Sequence, residues 1–208
     1  MTAFTGFDQK DFDVFEIPGL EPRMEVLIER VRPKLEQLGA ELAPFLSELS
    51  GEPMYVHVAK HARRTVNPPK DTWVAWASAK RGYKALPHFE VGMFATHVFV
   101  IFAIIYESPN KTTFAEGLDK KLQTIRKELP SNFYWSMDHM SPEGLIHGKM
   151  EDQDFQKMID KLRSVKKAEV MCGLRINAGE DVLKDGEQLL ETIRNTFKKL
   201  TPLYQIAF

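Results

Sequence analysis

The sequence predicts an α+β protein in which helices cover a mainly antiparallel β-sheet, because three features of the chain occur together. Apolar residues recur at helical spacing near both ends of the chain. Between residues 54 and 106 the chain is instead rich in β-branched and aromatic residues, with breaks at proline and glycine. Its 208 residues, 43% of them hydrophobic, favour one domain over 1–208 with a well-filled core.

The first part of the chain is predicted to be helical. The apolar residues that recur with a period of about 3.6 are Met24, Leu27, Ile28, Val31, Leu35 and Leu38. Pro22 suits the first turn of this helix, Gly39 is predicted to end it, and Pro33 should kink or divide it. A second, short helix is predicted over 42–49, before Gly51.

Four strands are predicted in the middle of the chain, at about 54–65, 72–79, 88–94 and 96–106. The last of these is apolar on both faces from Val98 to Ile105, which is typical of a central strand covered on both sides. Trp73 and Trp76 are an odd number of residues apart, so they should face opposite sides of their strand. At least one of them is therefore expected in the core.

The last part of the chain returns to alternating helices and strands. The predicted elements are a helix over 112–129, a strand over 133–137, a loop over 140–149, a helix over 152–164, a strand over 167–176 and a final helix over 185–203. Cys172 is the single cysteine, which excludes an internal disulfide and a zinc site built from cysteines. It lies in an apolar run, so we predict a buried, unreactive thiol.

Residues 57–84 carry an unusual concentration of positive charge. Seven lysines and arginines oppose one acid, Asp71, for a net charge of +6 in a chain whose overall net charge is −1. These positive side chains repel one another unless anions neutralise them, and the anions can be carboxylates elsewhere in the fold or a bound ligand. The overall charge and a pI of about 6.6 argue against a protein that coats nucleic acid.

Period-two alternation along 54–65 would place His57, His61 and Arg63 together on an open face, with Val56 and Val58 towards the core. A turn over 80–84, in which Gly82 permits an unusual backbone conformation, would close over whatever the arginines bind. The predicted ligand-binding residues are His57, Lys60, His61, Arg63, Arg64, Lys80, Arg81, Tyr83 and Lys84. Arginine forks suit phosphate and carboxylate groups. A solvated basic strand end paired with carboxylates is the alternative.

Motifs with a known chemistry are missing from the chain. It has no nucleophile elbow, phosphate-binding P-loop, dinucleotide-binding glycine fingerprint or cysteine pair, and the question of a cofactor stays open. The histidines of the strand region do not follow metal-ligand spacings, and the surrounding cations would repel a metal ion, so no metal is predicted.

Three classes of function therefore stay open. The preferred one is a binding module for a small phosphate- or carboxylate-bearing ligand, held by the basic face at 57–84. The second is an enzyme that handles nucleotides or acyl-adenylates, with Glu90 or Glu107 as the required carboxylate beside the arginines. The third is a module that binds a protein or, less favoured, a nucleic acid through the same face; it would need a flat basic surface. The oligomeric state is left open.

The chain is expected to be a soluble cytoplasmic protein without a membrane partner. Residues 1–13 are polar and acidic, unlike a signal peptide, and the strongest apolar run, 98–106, is far shorter than the roughly 20 residues that cross a bilayer.

Long strings of the sequence point to a known family. These are PGLEPRMEVLIERVRPKLEQLG, HVAKHARRTVNPP, TWVAWASAKRGYKALPHFEVGMFATHVFVIFAIIYESP and VKKAEVMCG, which together extend over most of the chain. They closely resemble the YktB-like family of uncharacterised Firmicutes proteins. The resemblance implies a single-domain α+β fold close to the catalytic topology of biotin ligases and class II synthetases. It implies no activity.

Overall fold

The structure is a computed structural model that describes residues 4–208, and this part of the chain contains six α-helices and seven β-strands. The helices are α1 (Gln9–Asp13), α2 (Leu20–Val26), α3 (Arg32–Ser50), α4 (Lys111–Glu128), α5 (Asp152–Ser164) and α6 (Gly186–Gln205). The strands are β1 (Tyr55–Val58), β2 (Asp71–Ala77), β3 (His88–Phe94), β4 (His97–Ile104), β5 (Tyr134–Ser136), β6 (Leu145–Ile146) and β7 (Val170–Asn177).

All seven strands form one sheet in the order β1-β2-β3-β4-β7-β5-β6, and every pairing is antiparallel. The predicted α+β class is therefore confirmed. The apolar β4 lies in the middle of the sheet, and all of its residues are buried, as its sequence predicts. The strand that pairs with it on the other side is β7, which the chain reaches only after α4 and α5.

The two faces of the sheet are covered in different ways. The helices pack on one face, where Trp76 is fully buried and donates a 3.0 Å hydrogen bond from Nε1 to the Gly39 carbonyl oxygen. The other face is here called the open face. It carries a second, smaller apolar cluster formed by Trp73, Phe94, Phe99, Ile101, Ala103, Tyr134 and Met171. The two tryptophans of β2 thus face opposite sides, as predicted.

The predicted helix end at Gly39 is wrong, because α3 continues through this residue to Ser50. Gly39 is instead a position of close packing: a Cβ atom added there would meet Val56 Cγ1 at 2.4 Å. The helix ends at Gly51, whose φ of 77° is the left-handed conformation that glycine adopts easily. A π-helical turn over Leu27–Val31 separates α2 from α3 just before Pro33, where the sequence predicts a break.

The predicted strand over 54–65 is too long, because β1 ends at Val58. The Ala59 amide still donates to the Trp73 carbonyl oxygen at 2.9 Å, but His61 then turns the chain with a φ of 52°. The period-two alternation therefore does not extend to His61 and Arg63, and the face predicted for His57, His61 and Arg63 does not form.

Most other elements agree with the prediction within a few residues, and the bounds of β3 and α5 coincide with it. The predicted loop over 140–149 differs, since it contains β6 and a 3-10 turn over His147–Lys149. Cys172 lies in β7 and is fully buried, as predicted. Among residues 4–208, no helix combines the length and the apolar character that a membrane span requires.

Candidate functional site

The open face of the sheet contains a partly open cavity of about 60 Å³. It is bounded by side chains of β2, β3, β4, β5 and β7 and by the loops over 78–87 and 137–144. We call it the sheet cavity. It is lined by Asp71, Trp73, Tyr83, Lys84, His88, Glu90, Phe94, Phe99, Ile101, Ala103, Ile105, Tyr134, Ser136, Asp138, His139, Ser141 and Met171.

Two side-chain interactions hold the loop walls against the sheet. Trp73 Nε1 donates a 2.7 Å hydrogen bond to the Tyr83 hydroxyl oxygen, which fixes the 78–87 loop. The imidazole of His139 lies 2.8 Å from Glu169 Oε1, and its backbone amide donates to the same oxygen at 2.8 Å. Glu169 directly precedes β7, so this pair fixes the 137–144 loop. The hydrogen bond to Glu169 raises the pKa of His139.

Asp71 is a buried acid in the wall of the sheet cavity. Only 5% of its surface is exposed, and its Oδ1 atom accepts no hydrogen bond from residues 4–208. Burial is the main cause that raises the pKa of this carboxyl from 3.8 to about 6, and the nearby charge of Glu90 adds to it. Arg64 and His139 act in the opposite direction. Asp71 therefore holds its negative charge at neutral pH at an energetic cost.

His88 lies beside Glu90 in the lining of the same cavity. Its Nδ1 lies 2.8 Å from the Leu86 carbonyl oxygen, and since a carbonyl only accepts, Nδ1 must carry the hydrogen. Its Nε2 lies 3.5 Å from Glu90 Oε2, within ion-pair distance but without a hydrogen bond. The Asp71 carboxylate is thus the group of the lining whose Oδ1 has no donor within the described residues.

An open groove of about 560 Å³ lies beside the sheet cavity and shares Tyr83 and Lys84 with it. We call it the basic groove. It is lined by Val56, His57, Val58, Lys60, Arg63, Arg81, Gly82, Tyr83, Lys84, Ala85 and Glu107. The structure therefore brings six of the nine predicted ligand-binding residues together, although the alternation that predicted this convergence is absent. These six are His57, Lys60, Arg63, Arg81, Tyr83 and Lys84.

The other three predicted residues lie outside this groove. His61 packs edge-on against Trp73, and its Nε2 is 3.3 Å from Thr72 Oγ1. Burial and the neighbouring Arg64 lower the pKa of His61 to about 4. Arg64 donates a long 3.4 Å hydrogen bond to the Asn67 carbonyl oxygen, and Lys80 lies over the ring of Tyr55 at 5.5 Å.

The cations of the basic groove are poorly compensated within the described chain. Lys84 Nζ lies 3.9 Å from Glu107 Oε1, at the limit of an ion pair, and both side chains are partly exposed. Between residues 4 and 208 no carboxylate pairs with Lys60, Arg63 or Arg81. The sequence left open whether carboxylates of the fold neutralise this positive charge. In the described part of the groove, Lys84 is the one cation with a carboxylate partner.

Asp138, His139 and Glu169 offer ligand atoms within 4.8 Å of one another, so this cluster has the composition of a metal site. However, His139 Nδ1 already lies 2.8 and 2.9 Å from the two oxygens of Glu169. Asp138 Oδ1 accepts from the amide of Met140. We therefore interpret the cluster as an ion pair that anchors the 137–144 loop.

Sequence reasoning missed the sheet cavity, although one signal for it exists. Asp71 and Trp73 alternate with the buried residues of β2, and His88 and Glu90 alternate with those of β3. Polar residues at alternate positions of otherwise apolar, buried strands place carboxylates on an inner face. The sequence suggests Glu90 as a possible partner of the arginines, whereas it lines the cavity rather than the groove.

Comparisons with known proteins extend over nearly the whole chain. The family described as "Domain of unknown function (DUF1054)" matches residues 7–204. UPF0637 proteins of Bacillus velezensis and Bacillus licheniformis are each 48% identical to the chain over 201 residues, which is 97% of this chain and 96% and 95% of theirs. A UPF0637 protein of Bacillus cereus is 46% identical over 201 residues, 97% of each chain.

Proposed function

The chain belongs to the DUF1054 family, and we propose that it binds a small phosphate- or carboxylate-bearing molecule through its basic groove. Membership confirms the resemblance to a family of Firmicutes proteins that the sequence strings indicate. Since the names of the relatives state no activity, the proposal is based on the groove alone.

The observation that carries the proposal is the uncompensated charge in a concave surface. Lys60 and Arg63, which follow β1, and Arg81, which follows β2, converge on one groove from two separate parts of the segment 57–84, without a carboxylate partner between residues 4 and 208. Cations brought together in this way repel one another, and the fold tolerates the repulsion most easily if an anion neutralises it. A phosphate or carboxylate group supplies that anion.

The chemistry of the groove suits such a group. The guanidinium groups of Arg63 and Arg81 present planar pairs of donors, and ammonium groups add donors of adjustable direction. Gly82 separates Arg81 from Tyr83 with a φ of 74°, so the turn bends where a side chain would be strained. His57 Nε2 is 2.9 Å from the Ala79 carbonyl oxygen and must donate to it, which leaves Nδ1 as the free ring nitrogen.

The shape of the groove separates this proposal from the other functions considered. A protein- or nucleic-acid-binding module would need a flat basic surface, whereas these residues surround a concavity of about 560 Å³. A nucleotide-handling enzyme would need a carboxylate beside the arginines, and Glu107 lines the groove. Glu107 is, however, the partner of Lys84, so its first role is to position that ammonium group.

The test is anion-dependent thermal stabilisation, measured by differential scanning calorimetry with inorganic phosphate and sulfate. The wild type should gain stability as RT ln(1 + [L]/Kd), about 2.7 kcal/mol when phosphate is a hundredfold above Kd. The double variant Arg63→Ala/Arg81→Ala should lose this gain. Without ligand, its stability should be unchanged or higher, because self-repulsion falls.

The matched control is Arg64→Ala/Lys80→Ala, which removes two charges from the same segment outside the groove. This variant should retain the response to phosphate. Equal responses in all three proteins would reveal unspecific ionic stabilisation and contradict the proposal. So would a groove variant that unfolds readily without ligand, since Arg63 and Arg81 would then be structural.

A further inference from the structure

The sheet cavity has an excess of hydrogen-bond acceptors that the basic groove does not explain. Asp71 Oδ1 is buried without a hydrogen-bond partner in the described residues. The Glu90 carboxylate, whose side chain is 14% exposed, lies 3.5 Å from His88 Nε2, and its charge raises the pKa of Asp71 further. Buried acceptors without donors are rare in folded proteins, because each loses its bonds to water.

The protein's own lysine does not fill this need. Lys84 is the only lysine that lines the sheet cavity, and its ammonium group forms its ion pair with Glu107 in the basic groove. It forms none with Asp71 or Glu90 among residues 4–208. Of the two histidines in the lining, His139 is paired with Glu169, and His88 lies 3.5 Å from Glu90. Asp71 is thus left without a cation of the described chain at ion-pair distance.

The remaining walls suit a small organic cation. Trp73, Phe94, Phe99 and Tyr134 surround the cavity with aromatic rings, and ring faces attract cations, most strongly where water is excluded. The apolar side chains of Ile101 and Met171 complete the floor and can contact a short hydrocarbon chain. About 60 Å³ leaves room for a compact group rather than for a whole nucleotide.

We propose that the sheet cavity binds a protonated amine, whose N–H groups donate to Asp71 Oδ1 and the Glu90 carboxylate. An ammonium group brings three donors and one positive charge to a site that has spare acceptors and negative charge. Tyr83 and Lys84 line both sites, so a molecule with an amine at one end and an anionic group at the other can occupy both. The proposed ligand class is therefore an amine-bearing phosphate or carboxylate. The anionic end of this ligand rests on the proposed function of the basic groove, whereas its amine end rests on the sheet cavity alone.

The probe is propylammonium chloride, with the uncharged n-propanol as its isostere, and the readout is the indole N–H resonances of the three tryptophans. The Trp73 resonance should shift with saturation in propylammonium, with a Kd on the order of 1 mM. The Trp76 resonance is the internal reference, because this ring lies on the helix-covered face and donates to Gly39. It should not shift, and n-propanol should bind at least about tenfold more weakly.

Variants assign the response to the carboxylates. Asp71→Asn and Glu90→Gln should each weaken propylammonium binding about tenfold or more, since each removes a charge-assisted acceptor. Glu128→Gln is the matched control, because it removes an exposed carboxylate at the end of α4, outside both sites, and should leave the Trp73 titration unchanged. Asp71→Asn should still bind inorganic phosphate, and Arg63→Ala/Arg81→Ala should still bind propylammonium. Because each variant should affect one ligand and not the other, these results show separately whether the cavity proposal or the groove proposal is wrong.

Three results would overturn the proposal. The first is a Trp73 resonance that does not move in up to about 100 mM propylammonium. The second is equal affinity for n-propanol, which would identify a merely apolar cavity. The third is unchanged propylammonium binding in both Asp71→Asn and Glu90→Gln.

Discussion

The indole nitrogen of Trp73, which lines the sheet cavity, donates a 2.7 Å hydrogen bond to the hydroxyl oxygen of Tyr83, which lines both the sheet cavity and the basic groove. Tyr83 also packs edge-on against His88, with ring centroids 4.9 Å apart. Burial raises the pKa of the Tyr83 hydroxyl, so it keeps its proton at neutral pH. The hydroxyl thus accepts from Trp73 and retains one hydrogen for a further acceptor.

Replacing Tyr83 with Phe should lower the free energy of unfolding by about 1 kcal/mol, because the Trp73 indole then lacks its acceptor. Urea denaturation at neutral pH measures this difference. The control is Tyr106→Phe, since 43% of Tyr106 is exposed and its hydroxyl is free to bond with water. Equal effects of the two substitutions would show that the Trp73–Tyr83 bond contributes nothing specific.

Replacing Asp71 with Asn should stabilise the ligand-free protein at neutral pH. The folded state raises the pKa of Asp71 from 3.8 to about 6 through burial and the charge of Glu90, against the opposing effects of Arg64 and His139. Since the folded state binds this proton more tightly than the unfolded state, ionisation of Asp71 destabilises the fold. The difference of about two units between the folded and unfolded pKa of Asp71 lowers the free energy of unfolding of the wild type by roughly 3 kcal/mol at pH 8.

The sign of the pH dependence follows from the same pKa. As pH rises from about 4 to about 6, the unfolded chain has already lost the Asp71 proton and the folded chain still holds it, so the wild type loses stability. Above about 6 this contribution is constant. The stability of Asp71→Asn minus that of the wild type should therefore grow between pH 4 and 6 and then level off. Denaturation at a series of pH values measures it, and a difference that shrinks with rising pH would contradict the assignment.

Replacing Glu169 with Gln should lower the pKa of His139, because the hydrogen bond to Glu169 is the main cause that raises it above 6.5. NMR titration of the imidazole resonances measures the change, with the other five histidines as references. The stability that the pair contributes should be full below pH 6.5 and disappear as pH rises through the folded pKa of His139. An unchanged His139 titration would refute the pairing.

Gly92 and Gly82 should respond to alanine for different reasons. A Cβ atom at Gly92 would lie 2.3 Å from Phe99 Cζ and 2.6 Å from the Thr72 carbonyl oxygen, so the floor of the cavity must shift, at roughly 1–3 kcal/mol. Gly82 has open space and a φ of 74°, so only backbone strain of about 1 kcal/mol is expected. The ring resonances of Phe99 should move in Gly92→Ala and stay in place in Gly82→Ala. The opposite pattern would show that the cavity floor is not packed as described.

Cys172 should react with a thiol reagent such as dithionitrobenzoate only after the protein unfolds. Its side chain is fully buried in β7, and burial raises the pKa of the thiol well above its ordinary value. The labelling rate should equal the rate of unfolding and should rise with urea. Rapid labelling of the native protein without urea would contradict this prediction.

The sequence was sufficient to predict the strands and helices whose hydrophobic period is unambiguous, such as β3, β4 and α5. It failed at Gly39, because glycine both ends helices and permits close packing, and only the approach of Val56 distinguishes the two roles. It also failed after Val58, where the predicted strand continued over 59–65 although Thr65 is the single β-branched residue there, and where His61 turns the chain.

The two candidate sites differ in how far the sequence could predict them. The basic groove was predictable because its cations come from one charged segment, 57–84. The sheet cavity was not, because its lining comes from five strands whose register is a long-range property of the sheet. Alternation could place Asp71 and Glu90 on inner faces, but only the pairing of β2 with β3 brings them to the same cavity.

The insertion of β7 between β4 and β5 determines when the cavity first exists during synthesis. Sixty-five residues, including α4 and α5, separate the end of β4 from the start of β7. A growing chain can pair β1 to β4 as consecutive hairpins. The side chains of Tyr134 and Met171, which also line the cavity, are added to this sheet only after the ribosome has released β7. A ligand of the sheet cavity therefore cannot guide the early pairing of the strands. It can bind only to chains that have been synthesised beyond β7.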